Sequence, residues 1–177
     1  MAGRSPAEAV NAFLAPLQQS ISSVANAVLH VRGGYYPGDK PRVLTIGSGK
    51  PVPLAGERRL ALRGAMLYRI IEAPGGRWSV SIAGYEYALD DLESRQEIIS
   101  FHWDPVGDSP VTTPHLHIAC SQAGFPITRK QHIPTGCISL EEFLRFAITE
   151  LGVKPRKKNW AQILDRNRRA AVEHTTA

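Results

Sequence analysis

The chain has 177 residues, 43% of them hydrophobic and 21% charged, which suits one well-cored domain and argues against a disordered chain or a long repeat array. It carries 21 Lys and Arg against 16 Asp and Glu, a net charge of +5, and no stretch is apolar for long enough to read as a membrane span. The opening residues, Met1 to Pro6, lack the apolar run of a signal peptide, so the expectation is a cytoplasmic protein with no membrane partner.

The charge is unevenly placed. Residues 152 to 177 hold Lys154, Arg156, Lys157, Lys158, Arg166, Arg168 and Arg169 against Asp165 and Glu173, so the whole net charge sits there and the rest of the chain sums to zero. A phosphate-bearing partner fits such a tail, with Lys154, Arg156, Lys157 and Lys158 as its contacts; a solvated basic helix fits it too. The two cysteines, Cys120 and Cys137, have no CxxC spacing and read as idle thiols.

In chain order, Ser5-Pro6-Ala7-Glu8 is a capping box with proline at the first helical position. Val10, Phe13, Leu14, Leu17, Ile21, Val24 and Val28 follow at helical spacing, so a helical segment is expected over 5–30, bent or restarted at Pro16. A Gly- and Tyr-rich loop leads to a short strand from Arg42. Arg59 to Glu72 suits helix or strand by periodicity, and Gly64 with the Tyr68-Arg69-Ile70-Ile71 ending favours a strand; Pro74-Gly75-Gly76 reads as a turn and Arg77 to Ile82 as an alternating strand with Trp78, Val80 and Ile82 inward, and Gly84 marks a bulge or a close approach. Residues 42–120 thus form an antiparallel meander of about five strands. Ser139 and Glu142 make a second capping box, with Ile138 and Phe143 as its hydrophobic staple, and open a helix whose apolar stripe includes Phe143, Leu144 and Leu151. A last helix follows Asn159, so 139–173 is helical. Together this is a single α+β domain over 1–177.

The chemistry is concentrated between Glu97 and His132. Ile99, Phe101 and Trp103 alternate with His102, and Leu116 and Ile118 alternate with His115 and His117, so two paired strands present an apolar back and a histidine front. Phe101, Trp103, Leu116, Ile118, Phe143, Leu144 and Leu151 are expected to share one core. His117, one pleat further from the Pro114 turn, is expected mid-sheet, with His115 at the rim. His132, Arg129 and Lys130 belong to the basic loop that follows.

Three chemistries suit these residues. An H-x-H pair on a strand clamps zinc or iron in the β-barrel dioxygenase and storage-protein families, but their following glutamate is Ser121 here, which leaves a three-histidine site near Asp104 and Asp108. Pro114-His115-Leu116-His117-Ile118 is similar to the strand of histidine-triad nucleotide hydrolases, but the third histidine position is Ala119. Metal-independent RNA cleavage needs only two imidazoles near neutrality and a cation for the phosphorane, which His117 with His102 or His132, and Lys130 or Arg129, supply.

The succession Phe101-His102-Trp103-Asp104-Pro105, then Pro114 to Ile118, then His132 to Pro155, then Asn159 to Leu164, resembles a group of small bacterial proteins with the same block order. More faintly it is similar to the toxin members of toxin–antitoxin pairs. That resemblance implies a toxin-like, RNA-acting enzyme needing no cofactor. No catalytic residue carries over from the resemblance; the acid–base chemistry above names His102, His115, His117, Lys130 and His132 as the candidate catalytic set, and the placement of basic residues names Arg129, Lys154, Arg156, Lys157 and Lys158 as nucleic-acid contacts. The alternative is a non-catalytic protein binding an antitoxin-like or nucleic-acid partner through the sheet face or the tail.

Overall fold

The computed structural model describes residues 3–38, 40–107, 110–119 and 130–175, with side chains to 169. Arg129, Cys120, Asp108 and most of the basic loop before His132 lie outside the described residues. Among the described residues, three α-helices, α1 (Pro6–Ser22), α2 (Leu140–Thr149) and α3 (Trp160–Thr175), accompany eight strands: β1 (Leu29–Arg32), β2 (Arg42–Ile46), β3 (Val52–Pro53), β4 (Leu60–Ala73), β5 (Arg77–Asp91), β6 (Glu97–Trp103), β7 (His115–Ile118) and β8 (Ile133–Pro134). The sheet runs β1-β2-β4-β5-β6-β7-β8, antiparallel throughout, with β3 on the edge of β4. The fold is α+β as expected, but eight strands replace about five. The additional ones are β1, β3 and β8: β3 and β8, two residues each, are too short for period two to register, and β1 begins inside the segment expected to be helical to residue 30.

α1 starts as its cap dictates, with Glu8 N donating to Ser5 Oγ at 3.2 Å, and it runs through Pro16 as one helix. It stops well before residue 30. The Gln18 side chain donates to Ala27 O and accepts from Leu29 N, both at 2.9 Å, which clips the chain back beside the helix and delivers it into β1. The apolar stripe therefore ends at Val24, and Val28 is 61% exposed.

Two irregularities in the sheet decide which residues face where. Leu67 pairs with Gly84 but Tyr68 with Ile82, so Ala83 is an extra residue in β5. The bulge switches parity: Trp78, Val80 and Ile82 before it, and Tyr85, Tyr87 and Leu89 after it, all turn toward the helices. Gly84 is required there, because a Cβ on it would stand 2.8 Å from the Trp103 carbonyl oxygen. The second shift leaves Ile98 extra in β6, with Leu89 on Ile99 and Asp90 on Glu97. After both, Glu86, Ala88, Asp90 and Glu97 lie on the face away from the helices.

The helices cover the other face. Phe143 of α2 is fully buried against Tyr87 and Phe101, ring centroids 5.7 and 5.9 Å away, and the α2 capping box is complete: Ser139 N donates to Glu142 Oε2 at 2.9 Å and Glu142 N to Ser139 Oγ at 3.2 Å. Phe101, Phe143 and Leu144 are buried in one core, with Trp103, Leu116, Ile118 and Leu151 packed against it. That is the core expected from the sequence. No helix among the described residues is long and apolar enough to cross a membrane.

Candidate metal centre

The face left bare by the helices carries the histidines. In the β6–β7 register His102 pairs with His115 and Ser100 with His117, so period two and an even register place all three imidazoles on one side. Their ring centroids lie 5.0 Å (His102 to His115), 4.8 Å (His115 to His117) and 6.4 Å (His102 to His117) apart. One nitrogen from each ring converges, the three lying within 4.8 Å of one another. His132, just ahead of β8, lays its ring 4.7 Å from both His115 and His117. The sequence reading thus named all four rings of the cluster.

It reversed two of them. His115, not His117, is the interior ring, at 1% exposure, while His117 is half-buried. β8 supplies the reason: it pairs with His115 and Leu116 and goes no further, so His115 is flanked by strands on both sides. His117 faces Ser100 rather than His102.

The His115 ring is fixed in one tautomer by geometry. Its Nδ1 lies 2.8 Å from the carbonyl oxygen of Thr113, and a carbonyl only accepts, so Nδ1 carries the proton. The lone pair is then on Nε2, which is buried with no hydrogen-bond partner. A backbone carbonyl behind a histidine, with the second nitrogen bare, is the outer-shell arrangement that prepares an imidazole to ligate. Left as it is, the bare nitrogen costs about 1–3 kcal/mol.

Burial lowers His102 below the usual imidazole range, with His115 adding to the effect and Glu86 and Asp104 opposing it. His132 is lowered too, by loss of water against its neighbours and then by His117, His115 and His102. Glu86 is the cross-strand neighbour of His102, a carboxylate that no sequence signal tied to the site because the β5 bulge sets its direction. Arg63 of β4 holds it, and also holds Asp90 at 3.1 Å and Glu97 at 2.8 Å; Glu97 in turn accepts from Ser100 Oγ at 2.8 Å. Beside His102, a cavity of about 140 Å³ opens between Glu86, Asp104, Ala65 and Leu67. Among the described residues around the histidines, Arg63, and Lys130 two positions ahead of His132, stand against Glu86, Asp90, Glu97 and Asp104, a balance that favours a cation.

Lys130 is exposed, two positions ahead of His132. The basic segment is elsewhere. Lys154 N donates to Ala55 O at 2.7 Å and Arg156 N to Ser23 O at 2.8 Å, and the Arg156 guanidinium donates to Ala25 O at 3.2 Å. These contacts tie Lys154, Arg156, Lys157 and Lys158 to the end of α1 and to the loop after β3. β3 and β7 are four strand spacings apart in the sheet, roughly 19 Å, and α1 packs on the face opposite the histidines. Of the nucleic-acid contacts read from the sequence, Lys154, Arg156, Lys157 and Lys158 do not join the histidine site, and Arg129 lies outside the described residues. Arg168 pairs with Glu142 at 3.2 Å and Arg166 donates to Gln19 at 2.8 Å, so part of the tail's charge is used internally.

Fold and site together define an α+β protein with a histidine-faced antiparallel sheet. No protein-family model matches the chain, and neither a curated protein nor a solved structure does.

Proposed function

We propose that the protein binds a divalent transition-metal ion in a three-histidine centre formed by His102, His115 and His117. The observations that carry this are the interior His115 ring, its Nδ1 proton committed to Thr113 O and its Nε2 bare, and the approach of one nitrogen from each of the three rings to within 4.8 Å of one another. Bonds of about 2.0–2.1 Å in a tetrahedral site put ligand nitrogens ~3.4 Å apart, so rotations of the half-buried His102 and His117 rings close the set. Imidazole donors suit zinc, copper, iron or nickel, and the absence of an oxygen donor in the trio disfavours magnesium and calcium. The surrounding carboxylates offset the charge of the ion.

A second reading keeps the imidazoles metal-free, in a toxin-like RNA-acting enzyme. The lowered His102 and His132 favour it, since a ring neutral at pH 7 accepts a proton. The two acid–base pairs stand 6.4 Å (His102 and His117) and 4.7 Å (His117 and His132) apart, and the carboxylates around Arg63 work against a phosphodiester there. A non-catalytic reading rests on the exposed Lys154, Lys157 and Lys158 as a polyanion contact and makes no use of the histidines.

Calorimetric titration of chelator-treated protein with Zn²⁺ separates these. One ion per chain is expected, with affinity lowered by about 100-fold or more in His115→Ala, since outer-shell changes alone remove roughly 10- to 100-fold. Equal affinity in wild type and His115→Ala refutes the proposal, and RNA cleavage that persists in excess chelator turns it to the second reading.

A further inference from the structure

The three converging nitrogens leave a fourth position open, and the ring nearest to it is not a member of the trio. His132 lies against both His115 and His117, centroids 4.7 Å from each, yet its nitrogens fall outside the convergent set. Its backbone is held just beyond the ring, where Leu116 pairs with Ile133 and His115 with Pro134, while the residue itself is exposed. The main chain is therefore fixed at the rim of the site, and the exposed side chain leans on two of the trio's rings. Four imidazoles around a tetrahedral ion with bonds of ~2.1 Å have centroids about 5.3 Å apart, and the separations from His132 are already close to that. A turn about the side-chain bonds brings one of its nitrogens to the ion with no change in the sheet.

Resting on the metal reading above, we infer that His132 is the fourth ligand, closing a four-imidazole shell over the ion from the solvent side. Four neutral nitrogen donors select late first-row ions, copper(II) foremost, over manganese or magnesium. They leave the ion's double charge intact, and Glu86 and Asp104 oppose it from outside the shell. The sequence reading named His132 as an acid–base partner and not as a ligand; its approach to the other rings is set by β8, the two-residue strand that directly follows it.

Electron paramagnetic resonance of the full chain loaded with one equivalent of Cu²⁺ counts the nitrogens directly. Wild type is expected to show four coordinated nitrogens, and His132→Ala three nitrogens and an oxygen, with Cu²⁺ affinity at least tenfold weaker. Because His132 is exposed, the metal-free melting temperature of the variant is expected to match wild type. Three nitrogens in the wild-type spectrum, or an unchanged spectrum and affinity in His132→Ala, overturns the fourth ligand while the trio stands. Failure of wild type to bind Cu²⁺ at all overturns the trio with it.

Discussion

His115 and Glu141 are both almost completely buried, at 1% exposure each, and each keeps one bare polar atom, but they answer to different physics. His115 stands in a cluster that converges on a point, and its spare lone pair has an ion to meet. Glu141 stands at the junction of the three helices, where Ser20 Oγ donates to its Oε1 at 2.8 Å and Asn167 Nδ2 donates to Ser20 Oγ at 3.0 Å. Burial raises Glu141 above the usual carboxylate range, with the Ser20 hydrogen bond opposing it and Glu142 adding to it. The folded state thus favours the neutral acid. Its contribution to stability is complete below the ordinary glutamate range and is lost as pH rises through the raised folded value. Glu141→Gln keeps the shape and cannot ionise, so denaturant unfolding between about pH 5 and pH 8 is expected to show a flatter pH dependence than wild type. Superimposable pH profiles would remove Glu141 as their cause. At this scale the sequence named the histidines but not Glu141, which stands in the first turn of α2 next to the capping residue Glu142.

At the scale of elements, alternation in β6 and β7 was sufficient to divide the apolar from the histidine face, since any register that pairs Phe101 with an apolar partner also gathers the imidazoles. Which histidine lies deepest was illegible, because it depends on β8, a strand too short to leave a pattern. Glu86 was illegible for another reason: the Ala83 bulge reverses the parity of β5 midway, so counting from Trp78 assigns it to the wrong face. The sequence marked a bulge at Gly84 without the consequence for Glu86, Asp90 and Glu97. The packing of β6 on α2 is a separate matter from the metal and is tested separately. Phe101 meets Phe143 and Phe146 edge-on, centroids 5.9 and 6.1 Å away. Phe101→Ala is expected to destabilise the metal-free protein by about 3–5 kcal/mol in denaturant unfolding; a loss below about 1 kcal/mol would show that α2 is held elsewhere.

Across the whole molecule, the three helices occupy one face of the sheet and the imidazoles the other, and the charge follows the same division. The net positive charge of the chain gathers in residues 152–177, tied to α1 and the loop after β3, while the histidine side carries Arg63 with a surplus of carboxylates. Composition showed the basic tail but could not show its distance from the histidines, because that distance is set by β3 and α1 rather than by separation along the chain. The two faces therefore suit different ligands, a cation on one and an anion on the other. The central claim concerns the first, and crystals grown with Zn²⁺ and measured on both sides of the zinc absorption edge test it most directly. An anomalous peak about 2.0–2.1 Å from one nitrogen each of His102, His115 and His117 is the predicted result; zinc bound only at surface carboxylates, with the three rings unmoved, would contradict it.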